Sequence, residues 1–238
     1  MRAEVMTLGT PNPRQREFLA CERKYVAFGG ARGGGKSWAV RCKAKLLALR
    51  YAGIRILLVR RSLAELEANH LAFLRQELAD VAEYRAGERQ FRFCNGSVLQ
   101  FGYCGCDRDL DRYQGAEYDV IFLDEATQLK EQWMRQIAAC VRGVNDFPKR
   151  IYYTCNPGGP GHGYIKRLFI DRRFEDGEQP EDYAFIPARV TDNTALLARQ
   201  PDYLKTLEAL PYKLRRAWLE GRWDVFAGQG VQEFTDDP

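Results

Sequence analysis

A run of glycines closed by Lys-Ser constrains this chain more than any other feature in it. Gly30-Ala31-Arg32-Gly33-Gly34-Gly35-Lys36-Ser37 fits G-x-x-x-x-G-K-[ST] and lies between the apolar stretch Tyr25–Phe28 and a helically spaced run, Ser37–Tyr51. Without Cβ atoms, the glycines let successive backbone N–H groups turn inward around an anion. A helix beginning near Gly35 would aim its positive end at the same point. Lys36 is then placed to reach the β- and γ-phosphates of a nucleotide, and the Ser37 hydroxyl to ligate Mg²⁺. A glycine-rich surface turn would supply the same letters, but would not need a strand before them and a helix after them.

The rest of the chain repeats this alternation, which predicts an α/β fold: a mostly parallel sheet with helices on both faces. Arg55–Val59 and Asp119–Leu123 read as buried strands, and Arg150–Thr154 as another that stops at Asn156-Pro157-Gly158-Gly159. Ser62, with Glu65 three residues on, opens a helix through a capping box. Phe91–Cys94 and Val98–Tyr103 flank Asn95-Gly96, a hairpin signal. The helical run Ser37–Tyr51 is expected to stop near Gly53, and a further helix is expected over Glu131–Val141. After Pro187 the chain turns polar, with short amphipathic helices expected at Tyr203–Leu210 and Lys213–Leu219. The division expected is one domain over 1–225 and a linker, or the opening of a further domain, over 226–238.

At 238 residues there is enough chain for one large α/β core. No apolar run approaches the ~18 residues of a membrane span, and the N-terminus lacks the apolar stretch of a secretion signal. Seven cysteines occur without a Cys-x-x-Cys pair, and His70 and His162 are far apart, so reduced thiols filling core space are expected rather than zinc. A net charge of +4 permits a nucleic-acid partner without requiring one. The basic pairs Arg14/Arg16, Arg60/Arg61, Lys166/Arg167, Arg172/Arg173 and Arg215/Arg216 read first as solvated faces.

Asp124-Glu125 follows the apolar strand directly, at the carboxyl edge where open α/β sheets bind ligands. Asp124 would hold Mg²⁺ opposite Ser37, and Glu125 would orient and deprotonate an attacking water. An exposed acidic pair capping the next helix is the plainer alternative. With no Asn-Lys-x-Asp guanine reader in the chain, ATP is the expected nucleotide.

The segments GGARGGGKS, YDVIFLDEA and YYTCNPGG, in that order, resemble the large terminase subunits of tailed bacteriophages. The later stretch VTDNTALLARQPDYLKTLEALPYKLRRAWLEGRWDVFAGQ resembles them too, so the likeness covers nearly the whole chain. It implies a RecA-like (ASCE) P-loop NTPase with a small helical C-terminal lid or linker region. It also implies an ATPase that packages double-stranded DNA with Mg²⁺ as cofactor. The implied partners are a portal protein and a small terminase subunit, in a homo-oligomeric ring, typically a pentamer. The isolated domain is expected to be able to stand as a monomer, in the host cytoplasm and outside the finished virion.

Residue by residue, the resemblance implies that Gly30, Ala31, Arg32, Gly33, Gly34, Gly35, Lys36 and Ser37 cradle the triphosphate, with Arg32 touching the γ-phosphate. Gln15 would read adenine through its amide, which offers one donor and one acceptor edge; a solvent-facing helical glutamine is the alternative. Thr154 and Asn156 would sense the γ-phosphate, unless they only end a strand in an Asn-Pro turn. The family's trans-acting arginine precedes a glycine where this chain has Gln114-Gly115, so Arg112 is the expected finger. After Trp223 only Asp224, Glu233, Asp236 and Asp237 carry carboxylates, so no nuclease activity is expected in this chain. A RecA-like helicase and a nucleotide-switched DNA-binding module that does not hydrolyse are the competing readings.

Overall fold

The computed structural model describes residues 9–226. Within them, eight strands form one sheet in the order β3-β4-β5-β2-β6-β7-β1-β8. The strands are β1 (Tyr25–Gly30), β2 (Arg55–Arg60), β3 (Ala82–Arg85), β4 (Gln90–Phe93), β5 (Val98–Tyr103), β6 (Val120–Leu123), β7 (Arg150–Cys155) and β8 (Tyr183–Ala188). The six strands from β5 to β8 run parallel, and β3 and β4 add an antiparallel edge. The helices are α1 (Pro13–Ala20), α2 (Lys36–Arg50), α3 (Leu63–Leu66), α4 (Ala72–Glu77), α5 (Glu131–Ala138), α6 (His162–Ile165), α7 (Thr194–Arg199), α8 (Tyr203–Glu208) and α9 (Tyr212–Trp218). A π-helical turn, Glu67–Leu71, joins α3 to α4, and another, Lys166–Ile170, extends α6. This is the expected mostly parallel sheet with helices. No helix among the described residues is long and apolar enough to cross a membrane. The expected linker 226–238 lies outside the described residues except for Phe226.

Side chains alternate across a strand, so each central strand feeds two cores. Val26, Phe28, Ile56, Leu58, Val120, Phe122 and Tyr152 face the core that α1, α2 and α4 close. Ala27, Leu57, Val59, Ile121, Leu123, Ile151 and Tyr153 face the other, under α5 and the α6 segment. On the first face Phe28 stacks on Phe18 of α1, Phe18 meets Tyr152 edge-on, and Tyr152 stacks on Phe122 at 4.9 Å. That aromatic file ties α1 to β1, β7 and β6.

The departures from expectation lie mainly at the sheet edges. β8 carries Pro187, which removes a ladder donor and argues against a central strand; as the outermost strand beside β1 it tolerates the loss. β3 is polar (AEYR) and forms the other edge, where one face needs no partner. The Asn95-Gly96 hairpin forms as expected, with Gly96 at φ 84°. Ser62 accepts from the Glu65 amide at 3.3 Å, which is the N-cap half of the expected capping box. The helix expected to reach Val141 ends at Ala138 instead, because Val141 bridges to Tyr118 beside the sheet.

Helix α2 buries three cations that the sequence pattern does not flag. Lys45 meets Glu77 at 2.6 Å and Arg41 approaches the same carboxylate, pinning α4 to α2. Lys43 donates to the carbonyls of Leu19 (2.5 Å) and Cys21 (3.2 Å) at the C-terminus of α1, where bare carbonyls and the helix dipole favour a cation.

Phe122→Ala should remove a wholly buried ring and lower the unfolding free energy by about 3–5 kcal/mol, read from chemical denaturation. Burial pushes the Lys43 ammonium down from 10.5 to about 8. Between those pH values the unfolded chain holds a proton that the folded chain has released, so this site's contribution to stability rises with pH. Urea unfolding should show wild type gaining on Lys43→Met by up to about 3 kcal/mol across that window.

Candidate functional site

The glycine loop fills the gap between β1 and α2, with Gly33 at φ 77° and Gly35, the residue before α2, at φ 75°. A Cβ on Gly33 would stand 2.8 Å from the Tyr203 ring, and one on Gly34 2.9 Å from Ala188. No side chain fits there, so the loop presents backbone. Four neighbours fix it. Ala31 N–H donates to Ala188 O (3.0 Å) and Arg32 N–H to Trp218 O (2.8 Å). Asn193 Nδ2 donates to Gly33 O (2.7 Å) and Gln15 Nε2 to Gly35 O (3.0 Å). Lys36 is buried behind the loop, its Nζ donating to Ala31 O (2.5 Å) and Asn156 Oδ1 (2.8 Å). Burial pulls its ammonium below the usual range, against the opposing pull of Asp124 and Glu125. Ser37, the second residue of α2, is half-buried.

The acids follow β6 two strands away. Asp124, with 1% of its surface exposed, takes the Thr154 hydroxyl on Oδ1 (2.5 Å) and faces His70 Nε2 with Oδ2 (2.7 Å). Arg60 Nε lies 2.8 Å from Oδ2 without hydrogen-bond alignment, so that contact is Coulombic. Burial alone would raise the Asp124 carboxyl, but His70, Arg60 and Thr154 together hold it well below the ordinary carboxylate range. Glu125 sits in the left-handed region at φ 53°, a strained position for a side-chain-bearing residue. Its N–H donates to Thr154 Oγ1 (2.8 Å), so one hydroxyl ties both acids to β7. Its carboxylate pairs with Arg60 Nη2 at 2.8 Å. The loop, Lys36, Asp124, Glu125, Thr154 and Asn156 thus share one carboxyl edge. Backbone presented in this way can hold a phosphate chain. Asp124 Oδ1 keeps an acceptor position beside its bond to Thr154, and that hard oxygen with the Ser37 hydroxyl suits Mg²⁺.

Three expected residues are placed less simply. The Gln15 amide is occupied at both ends: Oε1 accepts from Asn12 N–H (2.9 Å) in the α1 capping box, and Nε2 holds Gly35 O. The Arg32 guanidinium lies 3.4 Å over the Trp218 ring. Arg112 pairs with Asp109 (3.2 Å) and stacks over Tyr103 at the end of β5. Four strand spacings separate β5 from β1, roughly 19 Å. The side chain therefore lies on the correct edge but far from its own loop.

Arg60 corrects the reading of Arg60/Arg61 as a solvated pair, because it is buried between both acids. Its position at the carboxyl end of an apolar strand was the available signal. His70, Asn193 and Trp218 had no local signature; only the packing brings them in.

A family model described as "Terminase large subunit, T4likevirus-type, N-terminal" matches residues 27–228. Among solved structures, the large terminase of a thermophilic bacteriophage in complex with ADP aligns at TM-score 0.72 and 16% identity, over 89% of this chain and 53% of that one. The large terminase ATPase domain of Thermus phage P74-26 aligns at TM-score 0.64 and 14% identity, over 90% and 94%. The large terminase of bacteriophage HK97 aligns at 0.56 and 12%, over 82% and 44%. At such identities the likeness establishes the fold. This chain spans about half the length of the thermophilic phage protein. No curated protein sequence matches.

Thr154→Val keeps the shape and removes the bridging hydroxyl, leaving the Glu125 amide and an Asp124 oxygen short of a partner. The variant should lose about 1–3 kcal/mol of stability in denaturant unfolding, and Thr154→Ser should recover most of it.

Proposed function

Because the chain belongs to the family of T4likevirus-type terminase large subunit N-terminal domains, we propose that it is an ATP-hydrolysing motor domain that drives double-stranded DNA into a procapsid. The observation that carries this reading is the convergence of a glycine-lined phosphate cradle, Lys36 and the Asp124–Glu125 pair on one sheet edge. The loop amides and Lys36 bind the phosphates, which requires Lys36 to exchange its bonds to Ala31 O and Asn156 for phosphate oxygens. Ser37 and Asp124 would hold Mg²⁺, which would neutralise charge developing on the transferred phosphoryl group. Glu125 turns its carboxylate to a water in line with the γ-phosphate and takes its proton. Asn156, relieved of Lys36, and Thr154 then report the phosphate's presence along β7. Arg32 leaves Trp218 for the γ-phosphate, and Gln15 exchanges the Gly35 carbonyl for the adenine edge.

The site is completed by Arg112 of a neighbouring copy in a homo-oligomeric ring, a pentamer during packaging, with the isolated domain able to stand as a monomer. Its remoteness from its own loop supports a role in trans. The motor domain covers residues 1–225. Double-stranded DNA, held mainly through phosphates, a portal protein and a small terminase subunit are the partners, in the host cytoplasm.

Glu125→Gln should bind ATP normally yet lose about 10²–10⁴-fold in phosphate release. An unchanged rate would remove Glu125 from the mechanism, and absent ATP binding by wild type would remove the reading itself. Arg112→Ala should lower ring-dependent hydrolysis by about 10³-fold while leaving nucleotide affinity intact. Near-normal stimulated turnover would move the finger elsewhere.

A further inference from the structure

The π-helical turn Glu67–Leu71 interrupts the helix behind β2, its wider ring closed by Ala72 N–H donating to Glu67 O. Such turns hold one residue more than an α-helical turn and cluster at functional positions. The carbonyl of Asn69 within it accepts from Arg41 Nη1 of α2 at 2.7 Å, so the helix that begins at the phosphate loop braces the turn. His70, wholly buried, points from the turn at Asp124, Nε2 to Oδ2, 2.7 Å. An ionised carboxylate can only accept, so Nε2 carries the hydrogen of this bond and the ring is its donor. Taking one residue out of the turn would swing the ring about 100° around the helix axis and off the carboxylate.

We propose that His70 is a positioning residue for the metal-holding carboxylate: with Thr154 on Oδ1 and His70 on Oδ2, Asp124 is fixed at both ends and presents its remaining Oδ1 acceptor position to Mg²⁺. This inference rests on the ATP–Mg²⁺ reading above. Groups that orient a metal ligand from behind set the metal's affinity without touching it. A histidine that merely filled the core would need neither this donor nor the π turn that aims it.

The test measures ATPγS binding calorimetrically with Mg²⁺ and with EDTA, for wild type, His70→Leu and His70→Gln. Leucine fills the space without a donor, whereas the longer glutamine amide reaches the same oxygen. His70→Leu should cut the Mg²⁺-dependent gain in affinity by about 10–100-fold and leave the EDTA value within about twofold, and His70→Gln should restore most of the gain. A full Mg²⁺ gain in His70→Leu overturns the proposal, as does an equal loss with and without metal, or glutamine no better than leucine. If His70→Leu shows no cooperative melting, the comparison passes to His70→Gln against His70→Asn, whose amide is one methylene short. Glutamine keeping the gain while asparagine loses it supports the role, and equal behaviour overturns it. Wild type that binds the analogue under neither condition overturns the functional reading together with this one.

Discussion

A carboxylate held out of water at the end of β6 makes demands on everything around it. Burying a charge is costly unless it is paired and hydrogen-bonded, and Asp124 is compensated from three directions. Arg60 comes from β2, His70 from the π turn, and Thr154 from β7. The strands on either side of β6 and the helix behind them are thereby held in register around one atom pair. Much of what looks irregular nearby follows from this: the π turn, the left-handed Glu125 and the buried arginine at a strand end.

A second constraint comes from the glycine loop, which exposes its amides only because other elements grip its outer side. Ala188, Asn193 and Trp218, from the last strand and the C-terminal helices, hold three of its residues by backbone or side-chain bonds. The region after Pro187 is therefore part of the glycine loop's wall. The Arg32 stack on Trp218 places the loop's one exposed charge against that wall. Lys36 is bonded to Ala31 and Asn156, and Glu125 is drawn toward β2, the strand on the far side of β6 from the loop. Both side chains are thus held by partners within the protein.

Legibility followed the strength of local signals. Strands buried on both faces read as apolar runs, so β1, β2, β6 and β7 were visible, and the Asn-Gly turn announced its hairpin. The edges β3 and β8 were not visible, because an edge strand can be polar or carry a proline. Among site residues, those in contiguous motifs were found where the pattern put them on one edge. Arg60 was misread, since a basic pair in sequence says nothing of which member is buried. His70 was passed over because its importance depends on a π turn that no residue pattern marks.

Neighbouring residues alone specify the glycine loop, the acid pair after a buried strand, and an alternation that admits little besides a parallel sheet with these groups at its carboxyl edge. These depend on residues adjacent in the chain, where covalent geometry does most of the placing. How the buried charge is balanced, which elements wall the loop, and where Gln15 and Arg32 rest are settled by long-range packing. The charge balance, the wall of the loop and the places of Gln15 and Arg32 depend on contacts between residues from 20 to 186 positions apart, such as Gln15 with Gly35 and Arg32 with Trp218. Such contacts are selected by packing and desolvation over the whole fold, and no local stretch of chain encodes them.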